Sequence, residues 1–315
     1  MTSTIVEERI RQRVLRAIAL NRTPGYHFPG NFIDLSFDRV TSGDTRLSYE
    51  TGPHCLDLHG GTDVGSLALA ADFALGTAVR AGLDAATRTA TVSMALDFGT
   101  ARPAGVVRAA SRCHGYVGEG YGRIGRAQVT LDGPDGEIGY GSGAFMILKP
   151  PPQVTMHPVP HRQRGDPEPP VLADADLAPD ERRILRHADE ALERSARARE
   201  PFIRHFWGFL PEATRGAAAC VMPNGPHVGN RVGNVQGGIL LGLAAVTAAA
   251  ALSEAWILST ISAAFISPGE GAALRARASV VHHGQRLSVV RTEVTRSDNR
   301  RVLEVMSTHA HVTRS

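Results

Sequence analysis

Three groups of residues in this sequence have the chemistry to act on a substrate. The first is Asp72, a lone carboxylate in the apolar run 67–79. Burying such a group unpaired is costly, so it is either held by partners or put to use. The second group is Asn230 with Gln236, Gly237 and Gly238, where a glycine-rich turn leads into another apolar run. A helix starting there leaves backbone N–H groups unpaired and its positive dipole end open to an anion. The third is the histidines, with His54, His59 and His227 the ones near glycine-rich turns. No H-x-E, HExxH or Cys/His spacing turns them into a metal site, and no Gly-x-Ser-x-Gly elbow is present, so no metal is expected. His59 is the strongest histidine candidate for contact with a substrate. Arg123, Arg126 and Arg286 have the chemistry to meet phosphates, although each taken alone reads first as a solvated strand end. Gly118-Glu-Gly-Tyr-Gly122 lies between two strand-like segments and reads as a hairpin rather than a dinucleotide site.

An internal repeat shows which elements must hold these residues. Gly52-Pro53-His54 aligns with Gly225-Pro226-His227, and without gaps Asp57 then meets Asn230, Gly60 meets Gly233 and Gly65 meets Gly238. Leu67 meets Leu240 and Ala71 meets Ala244. Both copies run into a helix of small residues, 66–81 and 239–256. Four alternating, strand-like segments follow each: 91–98, 106–116, 122–132 and 137–148, then 259–266, 273–282, 286–296 and 302–313. One long helix followed by antiparallel strands is an α+β pattern, with the sheet wrapped around the helix. Residues 150–170 are proline-rich and read as a linker, residues 176–200 as a charged helix, and residues 6–20 as a leading helix. The expected division is therefore an N-terminal domain over 1–149, a linker and helix over 150–200, and a C-terminal domain over 201–315.

Composition narrows the function classes. The chain has 315 residues, 43% of them hydrophobic, and a formal charge of only +3 with pI near 9.0. Lys149 is the sole lysine, and the arginines alternate with acids, as around Asp180–Asp189, so no nucleic-acid-binding stripe stands out. Cys55, Cys113 and Cys220 are odd in number and far apart, which argues against a disulfide framework. The most apolar stretch, 237–258, contains Glu254 and many small residues, and reads as a buried helix rather than a membrane span. The N-terminal 22 residues carry acids and arginines with no apolar signal core. A cytoplasmic protein is expected.

With one buried helix and a curled sheet per half, the chain resembles the hotdog-fold thioesterases of the phenylacetate-degradation type, as a tandem or double hotdog. Members of that family show an Asn, a Gly three residues on, then His-Gly-Gly, and an acid nine residues after that His. Here Asn230, Gly233, Gly237 and Gly238 match, Gln236 stands in place of the His, and Ala245 stands where the acid belongs. In the first half the same register gives Asp57, Gly60, Asp63, Val64 and Gly65, and the acid position is Asp72. His59-Gly60-Gly61 is a literal HGG but sits four residues out of this register. The family also carries a Ser or Thr ten residues before a loop proline, which counts back from Pro103 to Ser93 and from Pro268 to Leu258.

The resemblance implies two antiparallel sheets, each wrapping a central helix, and active sites shared across the pair. One half would supply donors at a helix start, Gly237 with Gly238 and Asn230. The other would supply Asp72 as base or nucleophile, with Ser93 holding the water or carboxylate. Gln236, His59, Asp63, Arg123 and Arg286 would contact the substrate, although Asp63 reads first as an acid that satisfies the dipole at the start of its helix. The mirror combination lacks a base and is expected to be dead. The implied activity is hydrolysis of an acyl thioester of CoA or an acyl carrier, with no cofactor beyond the CoA of the substrate, and two such chains are expected to pair through their sheets. A hydratase or dehydratase is the alternative enzyme, though its Gly-Asp-x-Asn-Pro pattern is missing. A non-catalytic acyl-CoA binder is the alternative outside enzymes.

Overall fold

The computed structural model describes residues 3–84, 87–99, 104–150 and 152–312; Pro103, the proline from which Ser93 was counted, lies outside them. The first half contains α1 (Ser3–Asn21), α2 (Phe28–Phe32), β1 (Ser36–Val40), β2 (Thr45–Glu50) and α3 (Val64–Arg80). It continues through β3 (Arg88–Phe98), β4 (Val106–Val117), β5 (Ile124–Gly133) and β6 (Gly136–Leu148). The second half contains α4 (Pro179–Ala198), α5 (Phe202–Trp207), β7 (Glu212–Thr214), β8 (Ala217–Pro223) and α6 (Gly237–Ala250). It ends with β9 (Trp256–Phe265), β10 (Ala273–His283), β11 (Leu287–Arg296) and β12 (Arg301–His311). The short elements α2, α5, β1, β2, β7 and β8 carry too little periodic pattern to stand out in the sequence.

All the strand pairs are antiparallel, and their order is β1-β2-β4-β5-β6-β3-β9-β12-β11-β10-β8-β7. Exchanging each strand for its repeat counterpart gives the same order read backwards. The two hotdog sheets are thus continuous, joined where β3 pairs with β9 from Ser93↔Ala264 to Asp97↔Thr260. Each sheet curls around one helix, α3 or α6.

Small residues decide how those two helices meet. A Cβ on Gly238 would fall 2.4 Å from the Leu69 Cα, and one on Gly242 would fall 2.7 Å from the Gly65 Cα. Only glycine lets the backbones approach this closely. Helix α6 ends at Ala250, earlier than the expected 256, because residues 251–255 form a turn and Trp256 already opens β9. Helix α3 is buried along its length except at Phe73, Gly76, Thr77 and Arg80, which form one stripe.

The linker is fixed to the first half: the Phe37 N–H donates to the Arg162 carbonyl at 2.7 Å, and Arg162 pairs with Asp34 at 3.0 Å. The two Gly-Pro-His turns are the same structure twice. A Cβ on Gly52 or Gly225 would come within 3.0 Å of the Nδ1 of His54 or His227 respectively. Both imidazoles are buried. Burial is the main force lowering their pKa, to about 3 for His54 and well below the ordinary value for His227.

Two outcomes test this packing. Gly242→Ala should cost about 1–3 kcal/mol of unfolding free energy, read from the urea midpoint, because the helices must move apart. The neutral histidines bind fewer protons folded than unfolded, so stability should fall as pH drops from about 6.5 towards 3. The slope approaches 1.4 kcal/mol per pH unit for each such histidine, and His54→Asn should flatten it.

Candidate functional site

The start of α6 carries a side-chain cap of its own. Gln236 is the N-cap, and its Oε1 accepts hydrogen bonds from the Gly238 N–H at 2.6 Å and the Ile239 N–H at 3.3 Å. With its oxygen so committed, the Gln236 Nε2 points across the seam between the halves and donates to Asp72 Oδ2 at 2.5 Å. The other carboxylate oxygen, Oδ1, accepts from Thr91 Oγ1 at 3.0 Å. Asp72 is buried, and burial pushes its pKa up to about 6, against the opposing pull of the Thr91, Gln236 and Gly238 hydrogen bonds. Gly237 lies directly against it: a Cβ there would fall 2.9 Å from Asp72 Oδ2 and 3.0 Å from Thr91 Oγ1. Any side chain at position 237 would collide with the carboxylate. No acceptor among the described residues takes the Gly237 N–H, so it remains free to meet a substrate oxygen.

These groups lie in the wall of a cavity of about 430 Å³ between the halves. Its lining includes the stripe Asp72, Phe73, Gly76, Thr77 and Arg80 on α3, with Phe145, Leu240 and Phe265 supplying apolar surface. Arg231 and linker residues Met156 and Val159 border it as well.

Several expected residues sit elsewhere. Ser93 is exposed, and the hydroxyl on the carboxylate is that of Thr91. The cause is a β-bulge: Thr91 pairs with Phe145 and Ser93 with Ala144, leaving Val92 unpaired. In an unbroken strand Ser93 would share the face of Thr91. The extra residue reverses the alternation, so Met94, Leu96 and Phe98 face inward and Ser93 outward. Asp63 is the N-cap of α3, accepting from the Ser66 N–H at 2.9 Å, and does not border the cavity. His59 is exposed at the tip of a turn. Arg123 stacks on the Tyr116 ring at 4.7 Å and Arg286 is exposed beside β11; neither borders the cavity.

Asn230 does border it, but its Oδ1 accepts from the Val232 N–H at 3.0 Å and the Asn234 N–H at 3.1 Å. Asp57 ties the matching turn in the first half through the His59 and Gly61 N–H groups, at 2.8 and 3.0 Å. Asn230 therefore shapes the loop that delivers Gln236. Sequence reasoning missed Thr91, Arg80 and Arg231. Arg80 had a signal, since it follows Asp72 by two helical turns on the same face. Thr91 had none short of the bulge.

The mirror position is filled. Val64 stands for Gly237 and Ala245 for Asp72. The buried Phe209 ring occupies the space beside the glycines, 2.9 Å from where a Gly65 Cβ would lie and 3.1 Å from one on Gly242.

Residues 227–312 match the family model of the acyl-CoA thioesterase N-terminal domain. No curated protein matches the sequence. Among solved structures, the chain resembles a candidate oleoyl thioesterase from Lactobacillus plantarum, at 11% identity and TM-score 0.56 over 86% of this chain and 98% of that one. A hot dog fold protein of unknown function from Alicyclobacillus acidocaldarius gives 11% identity and TM-score 0.54 over 92% and 100%. A tesB protein of Mycobacterium avium subs paratuberculosis gives 17% and 0.51 over 89% and 96%. At these identities the structures speak to the fold, and the family match speaks to the chemistry. The chain thus has a double-hotdog fold, and residues 227–312 within it are similar to an acyl-CoA thioesterase domain.

With Asp72 as the catalytic base, its ionisation near pH 6 would set the pH dependence. Initial rates of acyl-CoA hydrolysis should rise about tenfold per pH unit below about 6 and level off above it. Thr91→Val removes a hydrogen bond to the charged form, so the rising limb should move to higher pH.

Proposed function

We propose that hydrolysis takes place at one composite site on the seam, with Asp72 from the first half and the start of α6 from the second. The observation that carries this reading is the Asp72 carboxylate lying against Gly237, bridged by Gln236. A thioester carbonyl placed in the cavity beside this pair can meet the Gly237 N–H, with the Gln236 amide and the Asp72 carboxylate next to it. Asp72 takes a proton from water as the water oxygen bonds to the carbonyl carbon, and the negative charge moves to the carbonyl oxygen. The N–H donors hold that charge, beside the buried side chains of Asp72 and Gln236. Collapse of the tetrahedral intermediate breaks the C–S bond, and the proton on Asp72 goes to the leaving thiolate. A base of pKa about 6 suits both steps, being mostly ionised at neutral pH yet able to carry the proton between them. Thr91 and Asn230 act as positioning residues, one through the carboxylate and the other through the loop.

This chemistry needs only water and the substrate. Among the described residues no group of three or more His, Cys, Asp or Glu is arranged to hold a metal ion. No helix of the described residues is long and apolar enough to cross a membrane.

The test is release of free thiol from a panel of acyl-CoAs. Asp72→Asn should lower kcat by about 10²–10⁴-fold, and Gln236→Ala by about 10²–10³-fold. Ser93→Ala, on the outer face of the sheet, should leave turnover unchanged. Hydration of an enoyl-CoA without thiol release would sink the reading in favour of a hydratase. Binding without turnover would sink it in favour of an acyl-CoA carrier.

A further inference from the structure

The cavity holds an excess of positive charge that the hydrolytic step does not use. Among the described residues, Asp72 is the only acid in its lining, whereas Arg80, Arg88 and Arg231 all border it. Arg80 projects from the last turn of α3, and Arg231 from the loop that precedes α6, so the two halves each contribute one guanidinium. Eight residues separate Asp72 from Arg80, about 12 Å along a helix axis. The groups that set the ionisation of Asp72 are burial, Thr91, Gln236 and Gly238, with no arginine among them. The positive charge therefore gathers away from the carboxylate.

Neither guanidinium is neutralised. Burial, and then the charge of Arg231, lowers the Arg80 pKa to about 9, and burial lowers that of Arg231. Among the described residues no carboxylate forms an ion pair with either one or acts on their ionisation. Arg231 makes one hydrogen bond, from Nη1 to the His157 carbonyl of the linker at 3.1 Å. The neighbouring His27 does not compensate: it lines the same cavity, stacked on Phe73 at 4.6 Å, and burial, followed by the charges of Arg231 and Arg80, keeps it uncharged. Two partly buried, mutually repelling cations with no counter-charge destabilise a fold, and such a pair has a physical reason once an anion sits between them.

We propose that Arg80 and Arg231 form a subsite, at the end of the cavity away from Asp72, for an oxyanion carried by the substrate. That oxyanion is either a phosphate of the CoA carrier or a carboxylate at the far end of the acyl group. Both present oxygens to which a guanidinium donates in pairs. The inference rests on the thioesterase reading for the identity of the substrate, but its test needs no turnover.

Calorimetry with three non-hydrolysable thioethers separates the cases: S-hexyl-CoA, S-carboxypentyl-CoA and S-hexyl-pantetheine. Arg80→Gln and Arg231→Gln should each weaken binding by about tenfold or more. Loss for both CoA ligands, with S-hexyl-pantetheine unaffected, assigns the subsite to phosphate. Loss confined to S-carboxypentyl-CoA assigns it to an acyl carboxylate. Arg275→Gln, on a remote strand, should change none of them. The ligand-free Arg80→Gln protein should melt at the same temperature as the parent or higher, because an uncompensated buried charge has been removed. Unchanged binding of all three ligands, or a lowered melting temperature with binding lost equally for all three, would overturn the proposal. The thioesterase reading fails separately, by absence of thiol release while these affinities persist.

Discussion

Everything in this molecule depends on how closely α3 and α6 approach. Gly238 lies over the backbone at Leu69, and Gly242 over Gly65. No side chain separates the helices at either point. That contact fixes the mutual position of the two halves and brings the first turn of one helix beside the middle of the other. The pairing of β3 with β9 holds the same relation from the sheet side. A carboxylate from one copy and an unpaired N–H from its twin can then share a space of a few ångströms.

The near-symmetry makes the asymmetry informative. Two equivalent seams exist, and only one is open. On the open side Gly237 leaves room for Asp72, whose oxygens are held by Gln236 and Thr91. On the other, Val64 and Ala245 replace them and the Phe209 ring packs beside Gly65 and Gly242. One side is thus apolar core and adds to stability. The other keeps a buried carboxylate whose raised pKa reflects the work of burying it, the property that the proposed role as a base uses. Arg80 and Arg231 likewise carry charge that no carboxylate among the described residues pairs, a feature the fold alone does not favour.

Some of the site was readable from residue types. Asp72 stands out as the one acid in an apolar helix, and the match of Gly-Pro-His turns sets it against Gly237 rather than against the literal His59-Gly60-Gly61. Other parts were hidden for identifiable reasons. Ser93 was the expected hydroxyl because strand alternation and a count from a proline both assume an unbroken strand, and the bulge at Val92 moves the role to Thr91. Asp63 and Gln236 occupy matching N-caps: Asp63 accepts from the Ser66 N–H of its own helix, and Gln236 caps its helix and also donates across the seam to Asp72. Nothing in the residue types separates those two outcomes, because the difference lies in what faces each cap.

The sequence by itself determined the duplication, the two small-residue helices, the alternating strands and the placement of a lone acid in one half opposite a glycine-rich helix start in the other. These follow from periodicity and residue size, which act over a few neighbouring positions. Only the tertiary structure decided which hydroxyl meets the carboxylate, which arginines border the cavity and that the proline-rich linker forms part of its wall. Each of those depends on contacts between residues far apart in the chain, where a single extra residue in a strand or the packing of one ring changes the partner without changing the local pattern.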